Sequence, residues 1–224
     1  VLTLSPSTRV LFAKNAGLTV RGAIRALGEK NAPISFAAAE GDDAGIWDEI
    51  LLDHAGGSVF SHCTFANATW AVHSHFTDLR VDSCSFVNNT GGLRFTSGPI
   101  EITRSLFERN EIGIRDYRGT ARITGSRITA NRIGIFVREK GGGLSVRSSD
   151  LSGNNEYAIR LGDFNDEDVD ARENWWGPAG PAATVYDGRS EPGIGFVRFE
   201  PAARKPFFTV PGSALKRARE AGDQ

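Results

Sequence analysis

The sequence lacks methionine entirely and holds only two cysteines among its 224 residues. Without methionine or a cysteine-rich motif, copper delivery is disfavoured, because soft thioether and thiolate ligands select copper(I). No apolar run approaches the roughly 18 residues that a membrane span needs, so none is predicted. An excess of one charge is also missing, since 26 Lys and Arg stand against 27 Asp and Glu. No overall field therefore favours nucleic acid or an anionic membrane as a partner.

Glycine, by contrast, is abundant at 26 residues, which suits a chain that turns every few residues. The middle of the chain also repeats itself. Segments with two apolar strand patterns separated by an Asn turn begin at Leu79, Ile100, Ala121, Leu144 and Val169. Their successive offsets are 21, 21, 23 and 25 residues. A period of this length with one turn motif per copy is typical of a solenoid.

Aligning the repeats defines rows of equivalent apolar residues. The first row comprises Val81, Ile102, Ile123 and Val146. The second comprises Leu93, Ile114, Ile135 and Ile159. The third comprises Phe86, Phe107 (or its neighbour Leu106), Ile128, Leu151 and Trp176. The pattern predicts short strands that pair with the same strands of the next coil, in long parallel sheets around a stacked interior.

An asparagine marks the turn of each repeat. The equivalent positions are Asn89, Asn110, Asn131 and Asn154. Asparagine tolerates the left-handed backbone region at a turn, and stacked side-chain amides hydrogen-bond along the axis as a ladder. We therefore interpret this row as structural rather than catalytic.

These coils, together with LTVRGAIRALG at 18–28, PISF at 33–36 and NWWGPAGP at 174–181, resemble bacterial right-handed parallel β-helix proteins with pectate-lyase-type repeats. The resemblance extends from about Leu18 to Pro201 and implies an all-β, right-handed parallel β-helix of about seven to nine coils. Proteins of this pectate-lyase-like superfamily are mostly exported, which implies a periplasmic or extracellular location. The superfamily includes lyases, hydrolases, epimerases, adhesins and accessory proteins, so the resemblance does not specify an activity.

Both ends depart from the repeat. We expect Trp175, Trp176 and the following segment to cap the last coil, since an unshielded coil pairs with other molecules. Residues 1–201 are predicted to form the β-helix with its cap, and residues 202–224 a C-terminal extension, partly disordered or a short helix. The chain begins at Val1 inside a strand pattern, either because a leader has been removed or because this is an ordinary short terminus. The exposed first coil is a candidate for end-to-end contact.

Register also predicts the outward side chains on the strand after the Asn turn. One outward row contains His73, Arg94, Arg115, Phe136 and Arg160. A second row, two residues later, contains His75, Thr96, Tyr117 and Arg138. All of these except Thr96 make up the Arg/aromatic stripe, which we predict to bind the ligand, because guanidinium groups match carboxylates or phosphates and stack on rings. The competing interpretation is a solvated face whose arginines pair with acids such as Glu111, Asp116 and Glu156.

Two other groups are candidates for metal. His73 and His75 face the same side of a strand, and this spacing suits two ligands to Zn²⁺ or Cu²⁺. His54 and His62 belong to the adjacent region, but the sequence places no third ligand. The acidic loop from Asp163 to Asp170 is a candidate for Ca²⁺. We favour ordinary surface histidines and a solvated loop, and predict neither a metal nor another cofactor.

Cys63 and Cys84 occupy the same position in successive coils. Their Cα atoms are expected within disulfide reach, but nearly parallel Cβ vectors suit the S–S dihedral poorly. We favour two stacked, buried thiols in a row continued by Ser105 and Ser126. A strained bridge in an oxidising compartment is the alternative.

Three functions compete. We favour an exported, non-enzymatic module that binds a protein partner or an anionic polysaccharide along the Arg/aromatic stripe. The alternative is a carbohydrate-active enzyme, a lyase on an acidic glycan, in which Arg94, Arg115, His73 and His75 are base and subsite residues. Because signature elements of the related hydrolases and epimerases are absent, no catalytic residue is predicted. A periplasmic metal-handling accessory protein is the third function; it is implied by similarity to a β-helix protein that assists copper-enzyme maturation.

Overall fold

The chain winds into a solenoid whose strands stack into three sheets. The computed structural model describes residues 1–208. Residues 209–224, most of the predicted C-terminal extension, lie outside the described residues. Through the central coils, each turn contributes one strand to each sheet, and every strand pairs with its counterparts in the neighbouring turns.

The strands are distributed over the sheets as follows. The first sheet contains β1 (Leu2–Leu4), β4 (Ile24–Leu27), β7 (Ser58–Ser61), β10 (Leu79–Asp82), β13 (Ile100–Thr103), β16 (Thr120–Thr124), β19 (Gly143–Arg147), β21 (Val169–Asp170) and β23 (Val197–Arg198). The second contains β2 (Arg9–Phe12), β5 (Ile34–Ala38), β8 (Cys63–Ala66), β11 (Ser85–Val87), β14 (Leu106–Glu108) and β17 (Arg127–Thr129). The third contains β3 (Leu18–Val20), β6 (Trp47–Asp53), β9 (Ala68–His75), β12 (Gly91–Thr96), β15 (Ile112–Tyr117), β18 (Ile133–Arg138), β20 (Tyr157–Gly162) and β22 (Val185–Tyr186). A short 3-10 helix spans Pro181–Ala183.

The fold is an all-β, right-handed parallel β-helix of about eight turns, which confirms the predicted fold class. The predicted apolar rows coincide with the observed pairing. In the first sheet the paired residues are Val81, Ile102, Ile123 and Val146. In the third sheet they are Leu93, Ile114, Ile135 and Ile159. All eight side chains are fully buried, so the periodicity of the sequence marks the interior.

Phenylalanine rings stack along the interior face of the second sheet. Phe36, Phe65, Phe86 and Phe107 follow one another at ring-centroid separations of 4.9, 4.5 and 4.5 Å. Their planes are nearly parallel, and the rings are buried. Phe107, not Leu106, is the inward residue of its coil, while Leu106 lies half-exposed on the outer face. Such a stack packs each coil against the next at interior density.

The predicted asparagine ladder is present between the second and third sheets. The amide Nδ2 atoms donate along the axis from Asn89 to Asn110 (3.1 Å), from Asn110 to Asn131 (2.9 Å) and from Asn131 to Asn154 (3.1 Å). Each Oδ1 also accepts the backbone N–H of the preceding ladder residue at 3.0 Å. The ladder therefore satisfies polar groups that the turn leaves buried without a sheet partner.

The left-handed residue of this turn is not the ladder asparagine, so the expected position is wrong. Positive φ values occur one residue earlier, at Asn88 (58°), Arg109 (54°), Ala130 (55°) and Gly153 (70°). The two adjacent residues of this turn therefore have different structural roles. The preceding residue makes the bend, and the ladder asparagine stays free to direct its amide inward along the axis.

A second polar ladder lies at the corner between the first and second sheets. Backbone N–H groups donate to the next side chain along the axis, from Cys84 to Ser105 (3.1 Å), Ser105 to Ser126 (3.2 Å), Ser126 to Ser149 (3.1 Å) and Ser149 to Asn174 (2.9 Å). Cys63 and Cys84 begin this row, and both are buried, free thiols. The favoured interpretation of the cysteines is confirmed. Burial raises the pKa of the Cys84 thiol well above its ordinary value.

The two ends of the solenoid differ. At the start, β1, β2 and β3 are the terminal strands of their sheets, and Leu2 and Leu11 are 40% and 50% exposed. End-to-end contact through this coil stays a prediction. At the other end, Trp176 is buried and its ring centroid lies 6.2 Å from that of Phe199. The domain boundary at residue 201 also stays a prediction.

The asparagine ladder generates a stability prediction. In the Asn110→Ala variant, Asn89 loses its acceptor and Asn131 its amide donor, and the carbonyl of Phe86 loses the donor at 3.0 Å. Because several buried polar groups are left unpaired, we expect a loss of about 3 kcal/mol in the free energy of unfolding. Chemical denaturation followed by far-UV circular dichroism measures it.

Asn155→Ala is the matched control, since Asn155 is exposed at the same corner and its side chain makes no hydrogen bond within residues 1–208. Equal stability of the two variants would contradict a structural role for the ladder.

Candidate ligand-binding site

The structure brings the whole Arg/aromatic stripe onto the outer face of the third sheet. The first predicted row is paired in order from His73 through Arg94, Arg115, Phe136 and Arg160. The second is paired in order from His75 through Thr96, Tyr117 and Arg138. The alternation of strand side chains thus places every predicted site residue on one surface, as expected.

A cavity of about 170 Å³ lies over the middle of the stripe. Its lining comprises His73, Arg94, Phe95, Thr96, Arg115, Tyr117 and Arg138. Phe136 and Arg160 continue the stripe toward the C-terminal coils, and His75 lies at its opposite end. The site is therefore an elongated surface with one concave section, rather than a closed pocket.

Aromatic rings separate the guanidinium groups along the axis. The guanidinium carbon of Arg115 lies between Trp70, at 4.7 Å from the ring centroid, and Phe136, at 5.8 Å. That of Arg160 lies between Phe136, at 5.1 Å, and Tyr186, at 5.4 Å. Cation–π attraction of this kind stabilises a partly desolvated cation. The rings therefore hold both arginines against the sheet.

Sequence reasoning missed Trp70 and Tyr186 as site residues. Trp70 stands three residues before His73, and Tyr186 pairs with Arg160 one coil further on. Extending the outward rows by one coil would have found Tyr186. Trp70 is accommodated because its partner in the next coil is Gly91, where a Cβ would overlap the indole.

Only some arginines of the stripe have a carboxylate partner. Glu49 Oε2 lies 2.6 Å from Arg94 Nη2 and 3.2 Å from His73 Nδ1. Burial alone would raise the pKa of the Glu49 carboxyl, but His73 and Arg94 lower it below its ordinary value. Arg138 forms an ion pair with Asp163. Within residues 1–208, Arg115 and Arg160 make no ion pair.

The acids named in the competing interpretation do not neutralise the stripe. Glu111 and Glu156 both pair with Arg132 at the adjacent corner. Asp116 is fully buried, because it follows Arg115 on the same strand and so points to the opposite face. The partners proposed for the arginines were wrong, and the carboxylates that do pair come from the wider second coil and the loop after β20.

Arg115 is the electrostatic centre of the site. Its Nε is buried and has no hydrogen-bond partner in the described part of the chain. Burial, with repulsion from Arg138 and Arg94, lowers the pKa of the Arg115 guanidinium below its ordinary value. A cation held in this way gains free energy from an anion that replaces the lost water.

His73 and His75 belong to the stripe, and the ring centroid of His54 lies 6.1 Å from that of His75. Asp53 Oδ1 is 2.8 Å from His54 Nδ1 and 3.5 Å from His75 Nδ1, while His62 contacts Ser61 at another corner. No group of three or more His, Cys, Asp or Glu among residues 1–208 is placed to hold a metal ion.

Several groups of the acidic loop serve the fold itself. Asn165 Oδ1 accepts the N–H of Gly141 at 2.8 Å, and Glu167 Oε2 accepts that of Gly142 at 3.0 Å. Asp168 pairs with Arg198 at 2.8 Å. These contacts tie the loop to the neighbouring turns, while Asp163, Asp166 and Glu167 are exposed, in agreement with the predicted solvated loop.

A larger groove, which sequence reasoning did not single out, runs along the outer face of the first sheet. Its volume is about 590 Å³. The outward residues on its floor are Val59, Arg80, Glu101, Arg122 and Ser145. Arg80 and Glu101 pair at 3.0 Å and neutralise each other. Arg122 is exposed and makes no ion pair within residues 1–208, so the floor of the groove offers one unpaired cation, whereas the stripe offers two.

Comparison with known proteins agrees with this architecture. The family model described as the right-handed beta helix region matches residues 43–176. The chain belongs to the right-handed β-helix family. Curated proteins and solved structures gave no significant match. Membership of this family establishes the fold of the β-helix protein but not its ligand.

No helix in the described part of the chain is both long and apolar enough to cross a membrane.

Replacing Gly91 is expected to disrupt the stripe. In the Gly91→Ala variant the new methyl group overlaps the indole of Trp70, so the ring must leave its place beside Arg115. We expect a loss of about 1–3 kcal/mol in unfolding free energy and a shifted tryptophan emission. Gly22→Ala is the control, since a Cβ there has no neighbour within 4 Å. A variant as stable as that control would show that the indole is not confined.

The strand that carries Arg115 also carries a buried acid. Asp116 Oδ1 accepts the N–H of Gly119 at 2.9 Å, while Oδ2 is buried without a partner in the described part of the protein. Burial raises the pKa of the Asp116 carboxyl to about 7, so the folded protein keeps this proton up to near-neutral pH.

Asp116 therefore predicts a pH-dependent stability. The folded state binds the Asp116 proton more tightly than the unfolded state does. The stabilisation that this proton gives to the folded state is therefore fully present at acidic pH. It is lost as the pH rises toward about 7, with a slope of up to about 1.4 kcal/mol per pH unit. Asp116→Asn should flatten this decline in denaturation curves measured across that range, whereas the exposed Asp166→Asn should not. An unchanged slope in Asp116→Asn would contradict the assignment.

Proposed function

We propose that this protein is a binding module for an anionic polysaccharide, which lies along the Arg/aromatic stripe. One observation carries the proposal. Arg115 is a half-buried cation between Trp70 and Phe136, and within residues 1–208 it makes no ion pair. The fold has desolvated this charge without supplying a carboxylate.

A carboxylate ligand supplies what Arg115 lacks. A guanidinium group offers two parallel donors to a carboxylate, and such bonds are roughly twice as strong as neutral ones. Arg94 and Arg138 flank Arg115, but Glu49 and Asp163 already pair with them, so Arg115 is the cation in this section that is left for a ligand. A polymer suits this surface better than a small anion does, because the stripe continues from coil to coil beyond the cavity.

Binding without catalysis is supported by the turns beside the stripe. The chain passes from β12 to the first sheet through residues 97–99, and from β15 through residues 118 and 119. Turns this short do not wall a cleft over the stripe. A catalytic site normally encloses its substrate more fully, as lids and loops exclude water from the reacting atoms.

Other features belong to the same proposal. Membership of the pectate-lyase-like superfamily, a bacterial origin and a periplasmic or extracellular location are supported by the resemblance of the coils. A protein with a row of carboxylates is the alternative partner, and a glycan binding test separates the two.

A second candidate, polysaccharide lyase activity, is favoured by one observation. Arg115 lies half-buried between Trp70 and Phe136, and burial lowers the pKa of its guanidinium, which is the direction that a general base requires. The same residue thus serves either proposal, and turnover distinguishes them.

Titration calorimetry with oligogalacturonate tests the binding proposal. We expect Arg115→Gln to weaken binding by at least about tenfold, the effect of losing one charge-assisted pair. Arg122→Gln is the matched control, because Arg122 is an exposed arginine on the first sheet and makes no ion pair within residues 1–208. Circular dichroism confirms that both variants are folded.

The outcomes separate the candidates. Loss of binding in Arg122→Gln but not in Arg115→Gln would move the site to the first sheet and overturn the proposal. Formation of the ultraviolet-absorbing unsaturated product, abolished in Arg115→Gln, would establish the lyase instead. Failure to bind any anionic glycan would overturn both.

A further inference from the structure

The arginines of the stripe fall into two classes. Arg94 is neutralised by Glu49 at 2.6 Å, and Arg138 by Asp163. Arg115 and Arg160 are held by aromatic rings and make no ion pair in the described part of the chain. Of the four arginines in the stripe, two therefore keep a positive charge that is available to a ligand. These are Arg115 and Arg160.

The spacing of these two charges follows from the register. Arg115 pairs with Phe136, and Phe136 pairs with Arg160. The free guanidinium groups therefore lie two coil spacings apart, roughly 10 Å along the axis. The coil between them presents the ring of Phe136 and the ion pair of Arg138 with Asp163, and so adds no free cation.

Neighbouring coils lie about 4.8 Å apart, which is close to the length of one pyranose ring with its glycosidic bond in an extended glycan. If its first carboxylate binds Arg115, the next sugar lies over the neutral middle coil and the one after that reaches Arg160. We propose that the stripe selects a glycan with a carboxylate on every second sugar over a homopolyuronate with a carboxylate on every sugar. This inference rests on the proposed binding function.

The middle coil discriminates by repulsion. An extra carboxylate there has no free donor and lies near Asp163, whose side chain is 40% exposed. A carboxylate bound over the middle coil therefore loses its hydrating water without gaining a hydrogen-bond donor. Specificity then arises from a penalty on the wrong polymer as well as from contacts to the right one.

The test compares three oligosaccharides of equal length by titration calorimetry. They are an alternating oligomer of glucuronic acid and N-acetylglucosamine, oligogalacturonate, and a neutral oligomer of N-acetylglucosamine. We expect the wild type to bind the alternating oligomer at least about tenfold more tightly than oligogalacturonate, the ratio produced by one unfavourable charge contact. The neutral oligomer should not bind measurably.

The Asp163→Asn variant tests the cause. Removing this carboxylate frees Arg138, which places a free cation on the middle coil, so the affinity for oligogalacturonate should rise and the ratio should fall toward one. Asparagine is compatible with the positive φ of 46° at this position. Asp166→Asn is the matched control, since Asp166 is exposed in the same loop and forms no ion pair within residues 1–208; its ratio should equal that of the wild type.

The outcomes separate this inference from the function on which it rests. Tight binding of both charged oligomers at equal affinity would overturn the spacing rule and leave the anion-binding module standing. An unchanged ratio in Asp163→Asn would overturn the role assigned to the ion pair. Absence of binding to every charged oligomer would overturn the proposed function itself.

Discussion

Everything on the surface of this protein depends on the register between coils, and a buried column of amides holds that register. In the run from Asn89 to Asn154, each asparagine bonds both the backbone and the side chain of a neighbour. The column tolerates no one-residue slip, because a slip would turn the apolar rows outward and leave these amides buried without partners. A second column of hydroxyls at another corner adds the same constraint.

The stripe is a consequence of that constraint rather than a separate device. Arg115 faces solvent and Asp116 faces the core because successive strand residues point to opposite faces of the sheet. The asparagine ladder fixes the register and so determines which of the two residues points outward. Trp70 lies against Arg115 because the next coil offers Gly91 at the facing position. The same stacking that builds a dry interior thus produces rows of like side chains outside. Rows of arginine repel one another, and rings and carboxylates between them make the arrangement stable.

The sequence predicted positions well and pairings poorly. The period places Arg94, Arg115 and Arg160 in one row, and the structure agrees. Glu49 could not have been placed, since β6 shifts register at this residue and its coil is widened by a loop. Asp163 likewise belongs to a loop outside the repeat. Ion pairs form across coils and through side-chain reach, so a pattern of residue types does not specify them.

What the sequence determined by itself is the solenoid: its period, its inward and outward rows, its polar ladders and the surface that carries the arginines. These features follow from the alternation of inward and outward residues along each strand and from the length of the repeat. Both can be read directly from the amino-acid sequence. Only the tertiary structure decided which charges stay unpaired. That choice depends on Glu49 and Asp163, which reach the stripe from irregular segments. Electrostatic pairing is set by distance in space, and distance between irregular segments is not encoded in any period.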